Sequence, residues 1–383
     1  MEGCKKLLGF LIKMFETARF WVQLLNAQKF ERPKIASMST LEMIAREVGV
    51  SAQTVSNVLN GKNKETWGST ARRAAKIREV AQRVGYQPNV MARAVATGKS
   101  RVIGLVMYPH QLNYSNEIEN GILKEASLQG YTTKLMHLSH NATATQIAEL
   151  AEQCVAAKLE GIVALVIEEK DMLRLQRQMG LVGCPLVFVG GIPPQNSLGV
   201  YSDVPLSVRL GVEHLVALEH RRIGLLCGPA GSLTQLHLEA FHAVMNEFGL
   251  PSSEANVALS HWSDADVIAA AANRLLDAPE PSTAIFAVSD VQALVTFATA
   301  RRRGLRLPED LSVLCYGEVP LLAYTDPPLT TIIQPSSRIG HLAIQSLIAH
   351  IQSDEPDAPL RPLLVKEDIS LVARGSTTPP ATS

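Results

Sequence analysis

In the stretch 39–59, apolar residues fall at Leu41, Ile44, Ala45 and Val48, the i, i+3, i+4, i+7 spacing that places one stripe on a helix. Gly49 suits a turn, and Ser51 is a residue type that caps helix starts. Val55, Val58 and Leu59 then form the inward stripe of a second short helix, which leaves Ala52, Gln53, Thr54, Ser56 and Asn57 to the outside until Asn60-Gly61 ends it. A third helix is expected from about residue 70 to 84, with Ala74, Ile77, Ala81 and Val84 inward and Gly85 as its stop. Two short helices joined by a glycine-containing turn make the helix-turn-helix pattern.

From Arg101 the texture changes. Short apolar runs at 102–107, 132–138, 161–167, 185–189, 222–227, 283–288 and 311–316 predict strands. Helical patterns lie between them, near 115–129, 144–157, 171–180, 204–218, 234–248, 265–277 and 290–303. This alternation implies parallel sheets covered on both faces, and the length asks for two α/β lobes rather than one core. The Gly190-Gly191-Ile192-Pro193-Pro194 segment, near 190–200, is the expected crossing between lobes. The domains read as an N-terminal extension (1–37), a helix-turn-helix unit (38–87), a bridge (88–100), a two-lobed core (101–375) and a Ser/Thr/Pro-rich disordered tail (376–383). The extension is either an amphipathic arm, with Leu7, Leu8, Leu11, Phe15 and Trp21 on one side, or a stretch upstream of a start at Met38.

The charges add to zero, with 36 basic and 36 acidic residues, but they are not evenly spread. Residues 1–100 carry 17 Lys/Arg and 7 Asp/Glu, whereas 101–383 carry 19 and 29. A basic head on an acidic core points to nucleic acid as a partner, held by phosphate neutralisation. Arg72, Arg73, Lys76, Arg78 and Arg83 supply charge along the third helix, and Gln53 and Asn57, four apart, carry amides able to pair with adenine. The five cysteines are scattered without a C-x-x-C, which fits a reduced cytoplasmic setting and no metal site. No apolar run reaches the ~18 residues of a membrane span. No phosphate-binding glycine loop, nucleophile elbow or H-E-x-x-H is present, so neither an enzyme nor a cofactor is expected. A two-lobed solute-binding protein is the alternative, although residues 39–100 have no place in one.

The run Thr40-Leu41-x-x-Ile44-Ala45-x-x-x-Gly49-Val50-Ser51-x-x-Thr54-Val55-Ser56-x-Val58-Leu59-Asn60-Gly61 resembles the signature of the lactose/galactose repressor (LacI/GalR) family of bacterial transcription regulators. The resemblance continues in Gly85-Tyr86-x-Pro88-Asn89-x-x-Ala92-Arg93, in Leu210-Gly211-Val212-Glu213-His214-Leu215 and in Pro328-Leu329-Thr330-Thr331-Ile332-x-Gln334-Pro335, and so spans residues 39 to about 375. It implies a periplasmic-binding-protein-like core, a homodimer, a double-stranded DNA operator and a small-molecule effector: a sugar, sugar acid or sugar phosphate. The implied DNA-contacting residues are Thr40, Ser51, Ala52, Gln53, Thr54, Ser56, Asn57, Asn60, Tyr86, Asn89, Ala92, Arg93 and Val95. Arg is common in the family where this chain has Asn57. The bridge resembles the hinge helix, with Val95 at the minor-groove wedge position where Leu is usual. Nine or so residues are too few for a stable isolated helix, so it should order only when packed.

The implied effector residues are Tyr108, Gly190, Asp203, Arg209, Phe241, Ser289, Asp290, Gly317, Glu318 and Gln334. Arg209 could clamp a hydroxyl pair or a carboxylate, and Phe241 could offer a ring face or serve as ordinary core. Sugar-responsive members commonly place Asp where Gly190 and Gly317 stand. Glu318 could substitute by a one-residue shift; otherwise Arg209 would favour an anion.

Overall fold

The computed structural model describes residues 40–59, 68–86, 99–109, 114–140, 142–317, 319–353 and 359–381. It forms two compact units, Met1–Arg93 and Ala94–Ser383. The N-terminal extension and most of the bridge lie outside the described residues, as do Asn60, Asn89, Ala92, Arg93, Val95 and Glu318.

Among the described residues, the first unit is a three-helix head of α1 (Thr40–Val48), α2 (Ala52–Leu59) and α3 (Gly68–Arg83). Ile44, Ala45, Val55, Val58, Ala74, Ile77, Val80 and Ala81 make its core, with Leu41, Val48, Val50, Ala52, Leu59 and Tyr86 packed around them. Val84 is exposed and Val80 takes the inward place expected of it, because the helix ends at Arg83 and the chain turns through Gly85. Ion pairing of Arg83 with Glu47 ties α3 to α1.

Among the described residues, the second unit holds two six-stranded sheets. The first-lobe sheet, in spatial order, joins β11 (Leu363–Val365), β5 (Leu198–Ser202), β4 (Leu186–Val189), β3 (Gly161–Leu165), β1 (Val102–Met107) and β2 (Thr132–His137). The second joins β12 (Ser370–Val372), β10 (Thr330–Ile333), β9 (Ser312–Tyr316), β8 (Ala284–Ala287), β6 (Ile223–Cys227) and β7 (Val257–Leu259). All neighbours are parallel except β12, which runs antiparallel to β10.

Each sheet is covered on both faces, which is why its central strands read as continuous apolar runs. Ile103, Leu105 and Met107 of β1 enter one cluster with helices α4 (Tyr114–Leu128) and α11 (Ser336–Ile351). Val106 and Tyr108 enter the opposite cluster, built with α5 (Ala144–Ala156) and α6 (Glu169–Leu181). In the second lobe, Ala284 and Phe286 of β8 face the layer of α7 (Val204–Ala217) and α8 (Ser232–Glu247). Ile285 and Ala287 face α9 (Ala265–Leu276) and α10 (Asp290–Arg302).

Two expectations need correcting. Residues 190–197 do not cross between lobes: they return the chain to β5, which pairs with β4 in the same sheet. The crossings come after β5, after β10 and between β11 and β12. The segment after Gly375 is also ordered through residue 381. Ser376 is fully buried, its hydroxyl donates to Val313 O (2.6 Å) and accepts from Thr330 N (2.8 Å), and Thr378 O meets His220 Nε2 at 2.9 Å. Specific hydrogen bonds hold a stretch whose composition alone suggested disorder.

Candidate DNA-reading face and ligand cleft

The head's turn is closed by Gly49 N and Val50 N, both donating to Ala45 O at 2.9 Å. At the start of α2 the Ser51 hydroxyl accepts from Thr54 N (3.1 Å), the expected cap, and shares a further bond with the Thr54 hydroxyl (2.9 Å). Gln53 is exposed, Asn57 half-buried, and Gln53 Nε2 donates to Asn57 Oδ1 at 3.0 Å. The two amides therefore stand side by side on one face, each orienting the other. Ala52 differs from its expected placement: it is half-buried and packs on the head core, because it opens the helix against α1 and α3. Thr40, Thr54, Ser56 and Tyr86 are half-buried as well. Arg72, Arg73, Lys76 and Arg78 are exposed along α3.

In the two-lobed unit, most of the expected effector residues stand at strand C-terminal ends, where parallel sheets take ligands. Tyr108 follows β1, Gly190 β4, Asp203 β5, Ser289 and Asp290 β8, Gly317 β9, and Gln334 β10. Their side chains are largely committed. The Tyr108 hydroxyl donates to Asp171 Oδ2 (2.7 Å) and accepts from Glu168 N (3.2 Å), while its ring stacks on His140 at 4.1 Å. Burial, and then the Asp171 carboxylate, push its pKa up. Asp203 caps α7 through Leu206 N (2.9 Å) and faces Lys366 Nζ at 3.5 Å. Ser289 caps α10 through Gln292 N (3.2 Å), and Asp290 is buried beside it. Gly190 and Gly317 have φ of +80° and +90°, so a backbone turn that favours glycine occupies the places where an Asp was sought.

Two expected ligand groups lie elsewhere. Arg209 is bound by Glu247 (2.8 and 3.1 Å) and Glu213 (3.3 Å), bonds that raise its pKa and lower that of Glu247. Both carboxylates sit on the exposed faces of α7 and α8, so the guanidinium is not held open as an anion clamp. Phe241 is fully buried and packs as core.

One polar network was not foreseen. The Tyr316 hydroxyl lies 3.2 Å from Ser202 Oγ and donates to Gln334 Oε1 (3.1 Å). Gln334 Nε2 donates to Ser207 Oγ (3.2 Å), Ser207 Oγ to Asp203 O (2.8 Å), and Asp203 N to Val365 O (3.0 Å). All three crossings between the lobes are thereby tied together. Separately, a cavity of about 200 Å³ is lined from the first lobe by Asn116 and Glu117 and from the second by Val319, Pro320 and Leu321. Of the network only Asp203 and Gln334 were singled out, and of the cavity residues none, because no motif marks the rest.

Comparison with known proteins agrees with this anatomy. Residues 40–89 match the model of bacterial regulatory proteins of the lacI family, and residues 212–377 match a periplasmic binding protein-like domain. The chain is 29% identical over 347 residues to the transcriptional repressor CytR of Escherichia coli K12, covering 90% of this chain and 98% of that one. It is 27% identical over 316 residues to the repressor PurR of Haemophilus influenzae, covering 82% and 91%. A crystal structure of the lac repressor dimer bound to operator and an anti-inducer superposes with a TM-score of 0.74 at 25% identity, covering 89% of this chain and 99% of that one. With the helix-turn-helix head, the paired parallel sheets and relatives that match both along nearly their whole length, the chain belongs to the lactose/galactose repressor (LacI/GalR) family of transcription regulators.

Proposed function

We propose that the protein is a cytoplasmic, ligand-responsive repressor that binds a pseudo-palindromic operator as a homodimer and controls a carbohydrate or sugar-acid utilisation operon. The observation that carries the DNA reading is the Gln53–Asn57 amide pair on the open face of α2, beside a basic α3. Such a helix fits a major groove, where amides read adenine and arginines neutralise phosphate. The hinge of residues 88–100 would enter the minor groove with Val95 as wedge. Dimerisation gains support from the short helix Pro320–Tyr324, where Leu321 is 59% and Tyr324 82% exposed, an apolar pair suited to a second copy. The effector would bind at the strand ends between the lobes, a reading supported by the position that parallel sheets offer to ligands.

Operator selection from a genomic fragment library at low salt tests this reading. The expected result is enrichment of a two-fold-symmetric site whose affinity falls steeply as salt rises. Failure to retain any fragment at low salt would overturn it. Genes flanking the selected site then indicate the effector class.

A further inference from the structure

In the second lobe, α8 opens from the C-terminal end of β6, and His237 points inward from its second turn with 2% exposure. Nδ1 lies 2.8 Å from Leu233 O, which can only accept, so Nδ1 carries the proton and Nε2 bears a lone pair. Nε2 is buried without a partner. A buried acceptor left without a donor is costly and uncommon in folded proteins, so this one asks for a partner.

The surroundings say what kind of donor. The His237 ring meets Tyr316 edge-on at 5.1 Å, and Tyr316 ends β9, so the imidazole sits at the sheet end where ligands bind. Phe241, Val288 and the partly buried Trp262 belong to the same apolar cluster. Burial lowers the His237 pKa to about 4, so near neutral pH the ring accepts and carries no charge. Arg209, the cation expected to draw an anion, is already held by two carboxylates.

We propose that His237 Nε2 is a specificity-determining acceptor of the ligand site, selecting neutral molecules that present hydroxyl or amino donors over their anionic counterparts. The inference rests on the ligand-responsive reading above, and it names the ligand class. The Tyr316 contact also carries occupancy to the crossings, since the Tyr316 hydroxyl joins Ser202 and Gln334.

Calorimetry of the full chain with matched pairs tests it: ribose against ribose 5-phosphate, adenosine against its 5′-monophosphate, and glucose against gluconate. At least one neutral member should bind more tightly than its charged mate. His237→Phe should weaken that binding about tenfold or more, and His237→Gln, which keeps an acceptor near Nε2, should recover part of it. Should the variants fold poorly, the imidazole ¹⁵N resonances of the wild-type protein give the same answer, with Nε2 shifting on addition of the neutral member alone. Equal or tighter binding of the charged members, undiminished binding by His237→Phe, or no binding by any neutral member would each overturn the proposal. So would a crystal structure in which one water occupies Nε2 both with and without the probe. Operator binding measured on the same preparations keeps the two readings apart: its loss sinks the DNA-binding assignment, whereas retained DNA binding without neutral-ligand selectivity sinks only this one.

Discussion

The amides of Gln53 and Asn57 are bonded to each other in the free head, so contact with a base exchanges one pairing for another. Their coupling predicts a non-additive pair. Gln53→Ala and Asn57→Ala should each cost about 1–3 kcal/mol of operator affinity and relax preference at one base position. The double variant should cost less than the sum, because each single change also releases its neighbour. Fluorescence anisotropy with the selected operator and with single-base variants of it checks this, and strict additivity would mean that the bond plays no part in readout. Ser51→Ala acts differently. It removes the acceptor for Thr54 N, so it should lower head stability by about 1 kcal/mol while leaving base preference intact.

Helices α4 and α11 cross so closely that each needs a glycine at the contact. A Cβ on Gly121 would lie 2.2 Å from Ser337 O, and one on Gly340 would lie 2.2 Å from Ile118 O. Backbone atoms cannot step aside as a side-chain tip can, so Gly340→Ala should destabilise the first lobe by about 1–3 kcal/mol in urea unfolding. An unchanged midpoint would mean that the crossing opens freely. This contact also shows where sequence reading stops. The central strands are legible because burial on both faces leaves uninterrupted apolar runs, as in 161–165 or 284–287. Strands β5, β7, β10, β11 and β12 span three to five residues each and carry Ser, Thr, Gly or exposed positions, so no period stands out. Helix α11 is absent from the expected elements even though Ile339, Ala343, Ile344, Leu347 and Ile348 keep helical spacing, and its packing on α4, where Gln345 meets Glu125 across 220 residues of chain, has no local signal. The site divides the same way. Placement at strand ends follows from the parallel-sheet pattern. The capture of Arg209 by Glu247, 38 residues away, and the orphaned His237 nitrogen exist only in three dimensions.

Across the whole molecule, the second lobe is closed by its own C-terminal segment, and histidines mark the seam. His220 is 1% exposed, sharing Nδ1 with the Thr283 hydroxyl and Nε2 with Ser312 and Thr378 O; His214 meets the Thr377 hydroxyl at 2.9 Å. Burial lowers the pKa of His220 to about 4, as it does for His237, and lowers that of His214 as well. Folded-state values below the ordinary ~6.5 mean that only the unfolded chain takes up these protons as the medium acidifies. The stability they confer is complete above about pH 6.5 and is lost progressively toward pH 4, at about 1.4 kcal/mol per pH unit for each proton. Between pH 6.5 and 5 the carboxylates contribute little, because those held low by Arg partners, such as Asp310 and Asp277, stay ionised in both states. Ending the chain at Gly375 removes the Ser376, Thr377 and Thr378 bonds and opens His214 and His220 to water. The truncated protein should be less stable at pH 7.5, since buried groups on Val313, Thr330 and Ser312 lose their partners. It should also be less acid-sensitive, its slope between pH 6.5 and 5 reduced by about the contribution of one proton or more, while His237 retains its share. Urea unfolding at half-unit pH steps reads both quantities. A truncated protein that is equally stable at pH 7.5, or that keeps the full slope, would show that the segment lies on the lobe without sealing it.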